Sequence, residues 1–147
     1  MAMITFLLIS CLTLTAPSGV TRVNIITGDL LFDKNKLNWY AIDYWIHVYG
    51  IQEPDIVKRQ IMLETGNLTS RICRECNNLF GMKKPRKRKT MAIGRDNSMA
   101  VYSQWQDSIL DYAIWQSYFY QGGDYFEFLK SHGYATDKGY IQKLKAL

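Results

Sequence analysis

The chain has 147 residues, 48% of them hydrophobic, enough for one domain to bury its own core without disulfides or a structural metal. Its 18 basic and 13 acidic residues leave a formal charge of +5, but Lys83, Lys84, Arg86, Lys87, Arg88 and Lys89 account for six of the positives, and the remainder is close to neutral. That distribution excludes a chain that is basic all over and points to a polyanionic partner met on one side.

Residues 1–20 carry no charge, and the apolar run from Met3 to Leu14 has the length of a signal-peptide core but is too short for a stable membrane span. Small residues around Ala16 suit cleavage, whereas the basic residue usual near the start is missing; the segment ending at Cys11 also resembles a lipoprotein cleavage site. The expectation is a leader, cleaved or retained, and a protein that is secreted or held in the periplasm or cell envelope. Residues 21–35 read as a connector and 36–147 as the functional domain.

Leu37, Trp39, Ile42, Trp45, Ile46 and Tyr49 recur at helical spacing, and Gly50 stops the run. Pro54 opens a second helix, with Asp55 in its first turn, that runs to Thr65 and ends at Gly66. Cys73 and Cys76 form a lone C-x-x-C with neither a second pair nor a nearby His, so zinc is not expected; they read as small buried residues or, in an exported chain, a local disulfide. From 82 to 102 the helical period disappears and two short extended segments flank a turn near Gly94 to Asn97. Ser103 with Gln106, and Asp124 with Glu127, then read as capping boxes of two more helices, and a last one starts near Asp137. The order gives an α+β fold, mainly helical with a small β-hairpin lobe.

On the second helix Val57, Ile61 and Glu64 stand at i, i+4 and i+7, so Glu64 shares the apolar face. Loss of hydration there disfavours a carboxylate and raises its pKa, as a general acid near neutrality requires. A structural ion pair with Arg71 or Arg74 is the alternative.

The segments LETGNLTS (63–70), NNLFGMK (77–83), AVYSQWQDSILDYA (100–113) and YATDKGYIQKL (134–144) resemble, in the same order, the bacterial endo-β-N-acetylglucosaminidases of glycoside hydrolase family 73, which are peptidoglycan hydrolases and autolysins. The resemblance spans residues 36–147. It implies a lysozyme-like fold whose hairpin lobe and helical body wall a groove for a glycan strand, and hydrolysis of the β-1,4 bond from N-acetylglucosamine to N-acetylmuramic acid. The family's acid falls on Glu64. Asn77 to Gly81 fall on the groove floor, with Asn78 as a contact for an N-acetyl group and Phe80 either a sugar platform or core. Tyr134 maps beside the acid. Tyr102 has a mixed reading as packing or contact, while Tyr140 and Trp105 read as core.

Glycosidases usually need a second carboxylate, about 5 to 9.5 Å from the first. Between Glu75 and Asp107 the sequence offers only Asp96, a candidate base that also reads as a turn former. Without it, the substrate's own N-acetyl oxygen would assist. A lytic transglycosylase or muramidase on the same fold is the alternative enzyme. A basic nucleic-acid-binding module is the alternative of another class, but the basic run has no interleaved aromatic and no known nucleic-acid motif beside it. No cofactor is implied, the partner is the glycan strand, a monomer is expected, and Asn67-Leu68-Thr69 matches a glycosylation pattern by coincidence. Delivery by a phage is the alternative to export by the cell.

Overall fold

The structure is a computed structural model that describes residues 33–147; the leader and most of the connector lie outside the described residues. In chain order the elements are α1 (Trp39–Val48), α2 (Pro54–Thr65), α3 (Arg71–Cys76), β1 (Gly94–Asp96), β2 (Met99–Val101), α4 (Trp105–Phe119), α5 (Tyr125–Ser131) and α6 (Tyr140–Lys145). The expected mainly helical body with a small hairpin is therefore present. None of the helices among the described residues is long and apolar enough to cross a membrane.

Local chemistry accounts for most helix ends. The Asn38 side chain accepts from the Ala41 amide at the start of α1, Pro54 occupies the first turn of α2, and Gly66, at φ +53, turns the chain out of it. Asp124 caps α5 by accepting from the amides of Phe126 and Glu127. The Ser103 box does not form: α4 is preceded by Gln104, which makes no capping bond with its side chain, and Gln106 is buried. The sequence reading also had no α3. Its six residues are too few to display a period, and it is set instead by Ser70, whose hydroxyl accepts from the Cys73 amide. Cys73 and Cys76 lie buried as free thiols.

The hairpin pairs Gly94 with Val101, Arg95 with Ala100 and Asp96 with Met99, and Asn97, at φ +54, makes the turn. A bridge between Lys83 and Met99, and a bond from the Ala100 amide to the Met82 carbonyl, join the 82–83 segment to it.

The core packs Ile42 and Ile46 of α1, Val57 and Ile61 of α2, Ile109 and Tyr112 of α4, Leu129 of α5 and Leu144 of α6. Within it runs a polar chain. The Tyr112 hydroxyl donates to Gln60 Oε1 (2.6 Å) and accepts from Tyr125 (2.6 Å), which in turn accepts from Gln116 (2.8 Å). Gln60 Nε2 reaches the Tyr140 hydroxyl at 3.4 Å, so one network ties α2, α4, α5 and α6 together.

The segment leading into the hairpin is fastened at a second point. Arg88 grips the fully buried Asp111 through two bonds (2.7 and 3.2 Å), and the same carboxylate accepts from the Tyr102 hydroxyl (2.8 Å) and the Met91 amide (3.2 Å). With four donors its negative charge is well satisfied. Truncating Asp111 to Ala would leave the Arg88 guanidinium without its acid, and should cost about 3–5 kcal/mol in urea unfolding. Tyr102→Phe, which removes one bond and leaves the ion pair, should cost about 1–3 kcal/mol.

Candidate active site

Glu64 lies in the last turn of α2, half-buried, and opens into a cleft of about 640 Å³. One wall is the 80–88 segment, through Phe80, Gly81, Met82, Lys83, Pro85 and Arg88; the other is the 132–137 loop with Tyr140 and Lys143 of α6. Burial raises the pKa of Glu64 above the ordinary carboxylate range, and a hydrogen bond from the Tyr140 hydroxyl partly offsets this. Neither arginine weighed as an ion-pair partner is used on it: Arg71 pairs with Glu75 (2.9 Å) and Asp96 (2.7 Å), and no ion pair of Glu64 or of Arg74 occurs among the described residues. The neutral acid is therefore favoured by desolvation with no cation pulling the other way.

The approach of the chain to this carboxylate is very close. At Gly81, φ is +60°, and a Cβ placed there would come 2.9 Å from Glu64 Oε2. Two features secure that backbone. Asn78, buried to 1% exposure, donates to the carbonyls of Met82 and Ala100 (both 2.9 Å) and accepts from the amides of Phe80 (3.3 Å) and Met82 (3.1 Å). Tyr134 donates its hydroxyl proton to the Phe80 carbonyl at 3.0 Å.

Of the residues singled out in the sequence, Glu64, Phe80 and Tyr134 come together in the cleft. Phe80 is 1% exposed and stacks on Tyr112 with centroids 4.1 Å apart, so nearly all of its ring is core. Asn78 is not positioned as a sugar contact: its amide is saturated by the loop it folds, and it does not line the cleft. Tyr102 is likewise turned inward to Asp111. Asp96 stands at the end of β1, in contact with Arg71 and outside the cleft lining; it fastens the hairpin to α3. Asn67, of the glycosylation pattern, accepts from the Trp39 indole at 3.1 Å.

Two cleft residues were missed. Tyr140 was read as core because it sits at helical spacing among apolar residues, and its ring is indeed buried; only its hydroxyl reaches the acid. The signal that was available is Gln60, a polar residue four positions before Glu64 on the same face, which has to find a partner when buried. Asp137 was read as a helix start. It does accept from the Gly139 amide (2.8 Å), and it pairs with Lys143 (2.6 Å) on the cleft lip. Lys143 and that amide hold its pKa below the usual value, opposite to the shift on Glu64.

The sequence model of the mannosyl-glycoprotein endo-β-N-acetylglucosaminidases, the glucosaminidase family, matches residues 41–147. The chain belongs to this family. It is accordingly a glycoside hydrolase, with the activity of a peptidoglycan hydrolase. No curated protein matches it significantly. Among solved structures it is similar to the catalytic domain of the autolysin Auto from Listeria monocytogenes, at 23% identity and a TM-score of 0.48, over 73% of this chain and 76% of that one. In this glucosaminidase the cleft holds two carboxylates among the described residues, one pushed toward its neutral form and one held ionised.

Adding a methyl group at Gly81 should test how closely the acid is held. Gly81→Ala is expected to lower stability by about 1–3 kcal/mol from backbone strain and collision, and to reduce turnover by about tenfold or more by displacing the carboxyl group. In a Glu64→Ala background the stability cost should shrink to the backbone component, because the atom in the way has gone. Thermal melts of the four proteins of this cycle read the difference.

Proposed function

We propose that this glucosaminidase cleaves the β-1,4 bond from N-acetylglucosamine to N-acetylmuramic acid in peptidoglycan, with Glu64 as general acid. The observation that carries the reading is a carboxyl group with a raised pKa, in no ion pair among the described residues, at the wall of a cleft of about 640 Å³. In its neutral form Glu64 gives a proton to the leaving glycosidic oxygen as the bond breaks, and the ring left behind takes on oxocarbenium character. Tyr140 bonds the same carboxyl group and so restricts the direction in which the proton is presented.

The site supports substrate assistance more than a direct carboxylate base. Asp96 is engaged with Arg71 away from the cleft lining, and Asp137 is committed to Lys143 and the Gly139 amide. The acetamide oxygen of the bound sugar would then stabilise the developing cation, and water would complete the reaction. Tyr134, with its proton donated to Phe80, presents an oxygen that can only accept, which suits a sugar N–H or hydroxyl. Action on peptidoglycan also fits a protein working at the cell envelope.

Digested peptidoglycan should yield new reducing-end N-acetylglucosamine. Reducing-end muramic acid would instead identify a muramidase, and 1,6-anhydromuramic acid a transglycosylase. Glu64→Gln should stay folded and lose about 10²–10⁴-fold in lytic rate; substantial hydrolysis by the folded Gln variant would remove Glu64 from the mechanism. Asp96→Asn should cost far less.

The direction of the Glu64 shift fixes two pH effects. Because the working form is protonated, activity should fall as pH rises through the folded pKa, at a pH above the ordinary carboxylate value of about 4.3. Stability follows the same sign: what the neutral group contributes is fully present below the unfolded pKa and is lost as pH rises through the raised folded one. Glu64→Gln should therefore melt higher than the wild type at neutral pH, and the gap should close in acid.

A further inference from the structure

The six cations of residues 83–89 are not equivalent. Arg88 is spent internally on Asp111, its side chain 10% exposed. Lys83, Lys84, Arg86, Lys87 and Lys89 all stand exposed, and none of them forms an ion pair among the described residues. Arg88 thus acts as a pin near the end of the run: by fastening one residue to α4, it holds the others outward on a segment tied at its start to β2 through Lys83 and Met99.

The run also begins at the reaction centre. Gly81 lies so near Glu64 that a Cβ there would come 2.9 Å from its Oε2, and Lys83, Pro85 and Arg88 line the same cleft. Residues 84–89 can extend at most about 20 Å from there, comparable with the reach of a short peptide. We propose that this pinned basic arm is a docking surface for the carboxylates of the stem peptide carried by the muramic acid residue in or next to the cleft, so that the enzyme selects glycan whose stem peptides are anionic over glycan whose stems are neutral. The inference rests on the glycan-cleaving reading of the cleft. It identifies the occupant by charge, by attachment to the sugar at the reaction centre, and by position at one cleft wall. The opposite lip does not supply the same attraction, since its Lys143 is already neutralised by Asp137.

Unpaired exposed cations act over about 10 Å at 0.1 M salt and about 30 Å at 0.01 M, so the selectivity is electrostatic and should be removable by salt. The test compares hydrolysis of native peptidoglycan with the same material after its stem carboxylates have been chemically amidated, which keeps the peptide and removes the charge. Wild-type enzyme at about 10 mM ionic strength should prefer the native substrate by about tenfold in kcat/KM, and the preference should collapse at about 0.5 M. A variant with Lys84, Arg86, Lys87 and Lys89 all changed to Gln, checked for an unchanged melting temperature, should lose most of that preference. A charge-keeping variant, Lys84→Arg, Arg86→Lys, Lys87→Arg and Lys89→Arg, should retain it.

Equal hydrolysis of both substrates by the wild type overturns the proposal while leaving the catalytic reading intact. Hydrolysis of neither defeats the catalytic reading and the proposal with it. Loss by the Gln variant of binding to polyphosphate-bearing walls or to DNA, with the native-over-amidated preference unchanged, also overturns it and reassigns the arm to those polyanions.

Discussion

The placement of one carboxyl group, Glu64, against the backbone of Gly81 and under the hydroxyl of Tyr140 is the constraint on which the site depends. A carboxyl group that is to keep its proton above the ordinary carboxylate range must lose water, yet as the proposed acid it must still face the substrate. The last turn of an amphipathic helix meets both demands, because the apolar stripe of α2 carries the side chain inward just where the helix ends and the cleft opens. The wall opposite can close on it only if it has no side chain of its own at the point of contact. Gly81 satisfies that condition and the positive φ together.

Several side chains with conspicuous chemistry spend hydrogen bonds on building this wall. Asn78 uses both its donors and its acceptor oxygen to fold the Phe80 to Met82 backbone. Tyr134 fixes the carbonyl of Phe80, and Asp111 gathers Arg88, Tyr102 and Met91 behind the basic arm. In each case a buried polar group would be costly if left unpaired, so its bonding is complete and its position defined. The core network from Gln116 through Tyr125, Tyr112 and Gln60 to Tyr140 brings the same rigidity to the acid from the other side.

This explains which parts of the molecule could be read from the sequence. Helical periods, Pro54, Gly66 and Asp124 mark local events, and α1, α2 and α5 appear where those residues place them. Glu64 was legible for the same reason, since i, i+4 and i+7 on one helix need no knowledge of what packs against it. The destination of an Asn or Tyr in a loop is a tertiary fact. Asn78 could equally have faced a sugar or its own turn, and its choice depends on carbonyls of Met82 and Ala100 that the sequence does not place. Asp96 likewise reads as a base because it is the only acid in its stretch, whereas the sequence does not show that Arg71, twenty-five positions earlier, pairs with it. The Ser103 box failed because a motif of two residues competes weakly with the packing that sets the start of α4.

The two cleft carboxylates bear on how charge is balanced during bond breaking. With Glu64 pushed toward its neutral form by burial and Asp137 paired with Lys143, the proposed site would add little net negative field where the sugar becomes cationic. A free carboxylate there would stabilise the cation directly, but it would also repel ionisation of its neighbour and compete for its proton. Transferring the stabilising role to the sugar's own acetamide avoids that conflict, since a neutral carbonyl oxygen can approach the reacting carbon without charging the site beforehand. It would also make the N-acetyl group a reacting part of the substrate, so that an acceptor beside it, such as the Tyr134 oxygen, gains more from orienting the amide than from binding the ring.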